Sequence, residues 1–300
     1  MALAVILALG AALSYGVSDF FGGTAATRLR VIPTTLISYG AGTIAYGVLV
    51  LATGGQWSVE VVFWGSIAGV AAVLGFVTFY AAMAVGPMSL VSPLIAVISG
   101  SVPVAAAVIL GERLSPWAWL GVVMALLAAV LLSAQPRTGG RRLTLRAGIL
   151  SVVSAVSLGS AVIALDRAPI ESASISGFVE IALGVVLLGV VWLVGRLIPP
   201  AGRVLADLGG PVVPASTTAR NVTLAASAGV LLALANAALI AALQSGSLAI
   251  VSVLVSLYPI ATLLLARVLG GERMTRVQLS GAALAVMASI LLGLSLSGPV

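Results

Sequence analysis

From residue 61 to residue 136 the chain carries only two charged side chains, Glu112 and Arg113, both inside one Gly-Glu-Arg triplet. An apolar stretch of that length cannot be covered by a water-soluble surface. The rest of the chain is built alike: 61% of residues are apolar and 7% charged, against roughly 25% charged in soluble domains. Crossing the bilayer core takes roughly 20 mostly apolar residues. Ten segments meet that length: 2–26, 33–53, 60–84, 88–110, 116–134, 145–165, 172–198, 222–243, 247–269 and 277–297. The pattern predicts an all-α membrane protein of ten transmembrane helices. Its longest connector, 199–220, is rich in Pro and Gly and is not expected to pack a domain of its own. The N-terminus lacks the basic n-region of a signal peptide, so residues 2–26 read as a retained first span.

Three residue types are missing. There is no Cys and no His, and all fourteen basic residues are Arg. Their absence excludes a disulfide framework, a zinc site of the usual kind, a His- or Cys-ligated haem and a Lys Schiff base. A P-loop needs Lys as well, so this chain alone cannot drive transport with ATP. No cofactor and no metal are expected. The net charge of +6 comes from Arg residues scattered singly or in small groups between apolar runs. They read as topology signals rather than a nucleic-acid surface. Exclusive Arg usage also hints at a GC-rich bacterial genome.

Displaced by 160 positions, residues 66–132 align without a gap on residues 226–292, with about 20 of the 67 positions identical. Val91-Ser92 matches Val251-Ser252, and Gly111-Glu112-Arg113 matches Gly271-Glu272-Arg273. This is an internal duplication. Each copy holds five spans, and five is odd, so the second copy enters the membrane from the opposite side. The domains read as a first repeat over 1–134, a basic linker over 135–144 and a second repeat over 145–300. Each triplet falls where one span ends and the next begins. Gly111 and Gly271 suit the left-handed residue that ends a helix. Glu112 and Glu272 are expected near the positive N-terminus of the following helix, and Arg113 and Arg273 can snorkel to headgroups.

The stretch "YAAMAVGPMSLVSPLIAVISGSVPVAAAVILGERLSPWAWLGVVMALLAAVLL", residues 80–132, resembles the repeat of the EamA branch of the drug/metabolite transporter superfamily along its whole length. In "ALSYGVSDFFGG", Tyr15-Gly16 is similar to that family's aromatic-Gly-x-Asn pattern, with Ser18 or Asp19 at the polar position. The resemblance implies a multi-pass carrier of the cell membrane. Its superfamily moves amino acids, sugars, nucleotide sugars and drugs. The function read from these features is gradient-driven or facilitative transport of small organic metabolites, as an exporter of amino-acid-like or similar compounds. Alternating access between the inverted repeats would carry it out. An integral-membrane enzyme and a structural or receptor-like protein are the alternatives. Expected partners are a small-molecule substrate and the lipid bilayer, with no nucleic acid, and the chain is read as a monomer or homodimer.

Inverted-repeat carriers bind at the interface of their halves near the midplane, beside broken helices. Pro93 and Pro103 in the fourth span and Pro259 in the ninth are therefore candidate hinges. Each removes an N–H and would free the carbonyl four residues back, at Ser89, Ser99 and Val255. Candidate substrate-binding residues are Tyr15, Ser18, Asp19, Tyr80, Ser99, Asn236, Ser256 and Tyr258. Asp19 and Glu180 are carboxylates inside apolar spans, where a charged Asp costs about 2.5–3.5 kcal/mol. Both are candidates for proton coupling. Glu180 shares a helical face with Ser176, Gly177 and Gly184, which suggests close packing or an oligomer contact. Twelve Arg residues fall in connectors on one side and two, Arg113 and Arg167, on the other. The positive-inside rule places both termini outside the cytoplasm, whereas members of the family are often described with both inside.

Overall fold

The computed structural model describes residues 2–86, 88–132, 144–172, 174–207, 219–270 and 275–295. Every regular element among them is helical: α1 (Ala2–Leu29), α2 (Val31–Thr53), α3 (Val59–Val85), α4 (Met88–Ile109), α5 (Pro116–Leu132), α6 (Leu145–Asp166), α7 (Ile175–Leu197), α8 (Pro199–Asp207), α9 (Ala219–Leu243), α10 (Leu248–Val255), α11 (Pro259–Gly270) and α12 (Arg276–Ser295). Six of them, α1, α2, α3, α6, α7 and α9, are long and apolar enough to cross a membrane, and shorter apolar helical segments cover 94–109, 116–131, 248–262 and 276–292. Large apolar side chains are exposed on the outside of the bundle, among them Leu13, Ile44, Val186 and Met287. Alanine supplies many of the buried positions. Small residues inside and large ones outside is how helices pack when lipid is the solvent.

The structure departs from the sequence-based expectation at two elements. The ninth span is two helices, because Pro259 has no N–H to continue α10. Residues 256–258 wind more tightly instead, with the Leu257 N–H on the Leu254 carbonyl at 3.2 Å and the Tyr258 N–H on the Val255 carbonyl at 3.0 Å. The Val255 carbonyl expected to be free is thereby taken, and Pro259 sits at the first position of α11, where its missing N–H costs nothing. In α4, by contrast, the helix runs unbroken through Pro93, Gly100 and Pro103. The connector after α7 opens with α8, a nine-residue helix with no buried residue, which folds back so closely that Gly202 meets the Gly195 carbonyl. The triplet Gly271-Glu272-Arg273 and most of the linker lie outside the described residues.

The two halves interlock reciprocally. Helix α1 packs on α9 and α6 on α3; α2 packs on α9 and α7 on α3; α5 packs on α12. Glycines at the closest approaches show the register. A Cβ at Gly16 would fall 3.1 Å from the Thr262 nitrogen, and one at Gly159 would fall 2.8 Å from the Val102 Cβ. Thr262 and Val102 are mates under the displacement of 160, so Gly16 and Gly159 are mates too. Likewise Gly229 lies on the Ser38 carbonyl, and its mate Gly69 lies on that of Glu180, where a Cβ would approach the oxygen to 2.8 Å.

At the first triplet, α4 ends in a Schellman turn. The Gly111 N–H bonds the Val108 carbonyl at 3.1 Å and the Glu112 N–H bonds that of Ala107 at 2.9 Å, with Gly111 at φ +96°. Glu112, expected near the N-terminus of the following helix, is not the residue that caps it. Ser115 does, accepting the Ala118 N–H at 3.1 Å. The Glu112 carboxylate reaches across to the other half, where it accepts the Ser247 hydroxyl and the Ala249 backbone N–H at the start of α10. Burial, with Asp166 nearby, outweighs the Ala249 bond and holds this carboxyl above its ordinary 4.5. A raised acid binds its proton more tightly folded than unfolded, so stability falls as pH rises from about 4.5 through the raised value. The melting temperature in detergent should show that slope, and Glu112→Gln should remove it. Glu112→Ala should lose about 0.5–2 kcal/mol, as other lost helix caps do.

Candidate functional site

A cavity of about 80 Å³ lies between the halves. At 10–15 Å³ for each water centre, this is room for a handful of heavy atoms. Eight elements wall it: α1, α3, α4, α6, α7, α9, α10 and the break that follows α10. Tyr15 stands fourteen residues before the end of α1, which is roughly 20 Å along the helix and so near mid-membrane.

The register of the halves explains the wall chemistry. Tyr15 and Asp19 on α1 are one turn apart and line the cavity. Their mates on α6 are Leu158 and Val162, which line it from the other half. Asn236 on α9 has Phe76 on α3 as its mate, and Leu239 has Phe79; all four line the cavity. The Phe76 and Phe79 rings meet at 6.3 Å between centroids with their planes 66° apart. Duplication therefore builds two equivalent walls, and divergence has made one polar and the other apolar.

On the polar wall, Asn236 is the hub. Its Oδ1 accepts the Tyr15 hydroxyl, and its Nδ2 donates to Glu180 Oε2 at 2.7 Å. Glu180, 4% exposed, therefore faces the cavity rather than an oligomer contact. Asp19 is 5% exposed, and no hydrogen bond to its carboxylate is formed among the described residues. Ser256 donates to the Val253 carbonyl at 2.7 Å, and Ser99 to that of Ala96 at 3.3 Å. Tyr258 lines the cavity from the helix break.

Two sequence candidates stand elsewhere. Ser18 turns toward α9 and donates to the Ala228 carbonyl at 2.8 Å, tying two helices together. Tyr80 is buried with its hydroxyl against Gly22 of α1. Of the hinge candidates, Pro259 shapes the break. The Ser99 carbonyl, which Pro103 would free, lies 3.0 Å from where a Gly159 side chain would begin, so α6 covers it. The Pro93 side chain lies outside the described residues.

The structure also brings in residues that the sequence reading passed over. Ser252, one turn before Ser256, lines the cavity while buried, and no partner to its Oγ is formed among the described residues. Its signal was present as the identity Ser92/Ser252 in the repeat. The repeat marks Phe76 and the position near Val162 only as the partners of Asn236 and Asp19. By residue type Phe76, Phe79, Leu158, Val162 and Leu165 carry no signal, because an apolar residue facing a cavity and one facing a helix look alike in a sequence.

No curated protein matches the chain. A solved crystal structure of another protein is similar with a TM-score of 0.73, over 98% of this chain and 97% of that one, at 18% identity. At that identity the likeness shows the fold alone. The model of the EamA-like transporter family matches residues 2–134 and again residues 145–294. These matches contain the helices that wall the cavity from each side, and together they cover nearly the whole chain, which belongs to the EamA-like transporter family.

Proposed function

We propose that the protein is a secondary transporter exporting amino-acid-like metabolites, with a polar head and a short apolar body, by alternating access. The observation that carries this reading is the cavity between the halves, with a polar wall facing its apolar mate. The ten spans are α1 to α7, α9, the broken pair α10–α11, and α12, arranged as two inverted five-span repeats over 1–134 and 145–300. The reciprocal packing of α1 on α9 and α6 on α3 supports that arrangement. The break at 256–258 supports a moving element beside the site, since irregular backbone at membrane depth persists only where it lines a cavity or protein.

Asp19 is the residue on which the reading turns. It is assigned as the group that holds a substrate ammonium or carries a coupling proton, with Glu180 in support. Asp19→Asn should insert and purify normally and lose about ten-fold or more of transport, or lose its pH dependence. Uptake of a metabolite panel into vesicles at matched protein content measures this. Wild-type flux from mildly acid to mildly alkaline pH would make Asp19 structural. Orientation follows from the Arg residues, which put both termini outside the cytoplasm. A C-terminal reporter that fluoresces only in the cytoplasm should stay dark, and bright cells would reverse the assignment.

A further inference from the structure

The cavity lining sets two carboxylates, Asp19 and Glu180, against neutral donors only. Asp19 has both oxygens unpaired by any described residue, and one Glu180 oxygen accepts from Asn236 while the other stands without a described donor. The hydroxyl protons of Tyr15, Ser99 and Ser256 are already given to protein oxygens. Ser252, 4% exposed, lines the cavity with no described partner to its hydroxyl, and the Tyr258 phenol and the second Nδ2 hydrogen of Asn236 are the other neutral donors on the lining. Among the described residues no cation compensates. Every Arg in the chain lies in a connector, in the first or last turn of a helix, or in the short α8, and none is among the lining residues.

A ligand carboxylate accepts hydrogen bonds only. Placed here, it would face two like-charged groups if they are ionised, or a few weak donors if they are protonated. A ligand ammonium brings three N–H donors to the same oxygens. The opposite wall, with Phe76, Phe79, Leu158 and Val162, takes an apolar body and can place a ring face beside a cation. Resting on the transporter reading and narrowing it, we propose that the cavity selects small organic ammonium ions without a free carboxylate. Such ligands are short-chain amines and the amides or esters of amino acids, with the zwitterionic amino acids themselves rejected.

Valine, valinamide and isobutylamine share one apolar body and differ in the carboxylate. Calorimetric titration of the purified full chain with each should show valinamide and isobutylamine binding about ten-fold or more tightly than valine. Asp19→Asn should bring the three within about two-fold of one another, and Glu180→Gln should narrow the gap in the same direction. The Gln variant serves if the Asn variant does not fold. Valine binding as tightly as the amines, a preference untouched by both variants, or no binding of any of the three would each overturn the proposal. Flux of the broader metabolite panel tests the transporter reading separately. It can stand while this selectivity falls.

Discussion

Asn236→Leu should abolish transport and loosen the fold together. Asn236 is 3% exposed and joins Tyr15 on α1 to Glu180 on α7, so it ties the two halves at cavity depth. Leucine keeps the branching at Cγ but leaves a buried phenol and a buried carboxylate without partners. Each orphaned group costs about 1–3 kcal/mol in a buried site, although interhelical hydrogen bonds in membranes average nearer 0.6 kcal/mol. The expected result is a lowered melting temperature in detergent and flux reduced by about a hundred-fold or more. Asn236→Gln, which keeps both functions of the amide, should recover part of the flux. An Asn236→Leu variant with unchanged flux would show that the hub is incidental.

Gly229→Val should prevent accumulation of folded protein altogether. Helix α9 is gripped from two sides there. Ser18 of α1 donates to the Ala228 carbonyl and Ser38 of α2 to that of Ala225, each at 2.8 Å. A Cβ at Gly229 would overlap the Ser38 carbonyl oxygen, and one at Gly42 would come within 2.9 Å of the Gly229 oxygen. Both obstacles are backbone, so no rotamer change relieves them. Overpacking a core costs typically about 1–3 kcal/mol and more where nothing yields. Size-exclusion profiles of the variant should show aggregate in place of a monodisperse peak. Gly69→Val, at the mate position against Glu180, should fail in the same way. Wild-type behaviour of either would mean that the helices do not approach so closely.

Much of this molecule was legible before any coordinates. Hydrophobicity set the helices, because a backbone in lipid must bond within itself, and identity at a fixed displacement exposed the duplication. Tyr15, Asp19, Ser99, Asn236, Ser256 and Tyr258 could be picked out because a polar side chain in an apolar run is costly enough to need a reason. The same cost flagged Ser18 and Tyr80, which are not among the residues lining this cavity. The price is paid as well by interhelical glue as by a binding group, so the residue type alone cannot separate them. Glu112 illustrates a different limit. Its neighbours in sequence pointed to α5, but its carboxylate caps α10 more than a hundred residues away. Pro93 and Pro103 stand in an unbroken helix and Pro259 at a break, though each removes one N–H. What only the tertiary structure decided is therefore pairing: which helix covers a freed carbonyl, which wall faces which, and that Asn236 holds Tyr15 and Glu180 at once. Composition and period record what each residue would cost to bury, whereas the partner that offsets that cost is chosen by packing between segments distant in the chain.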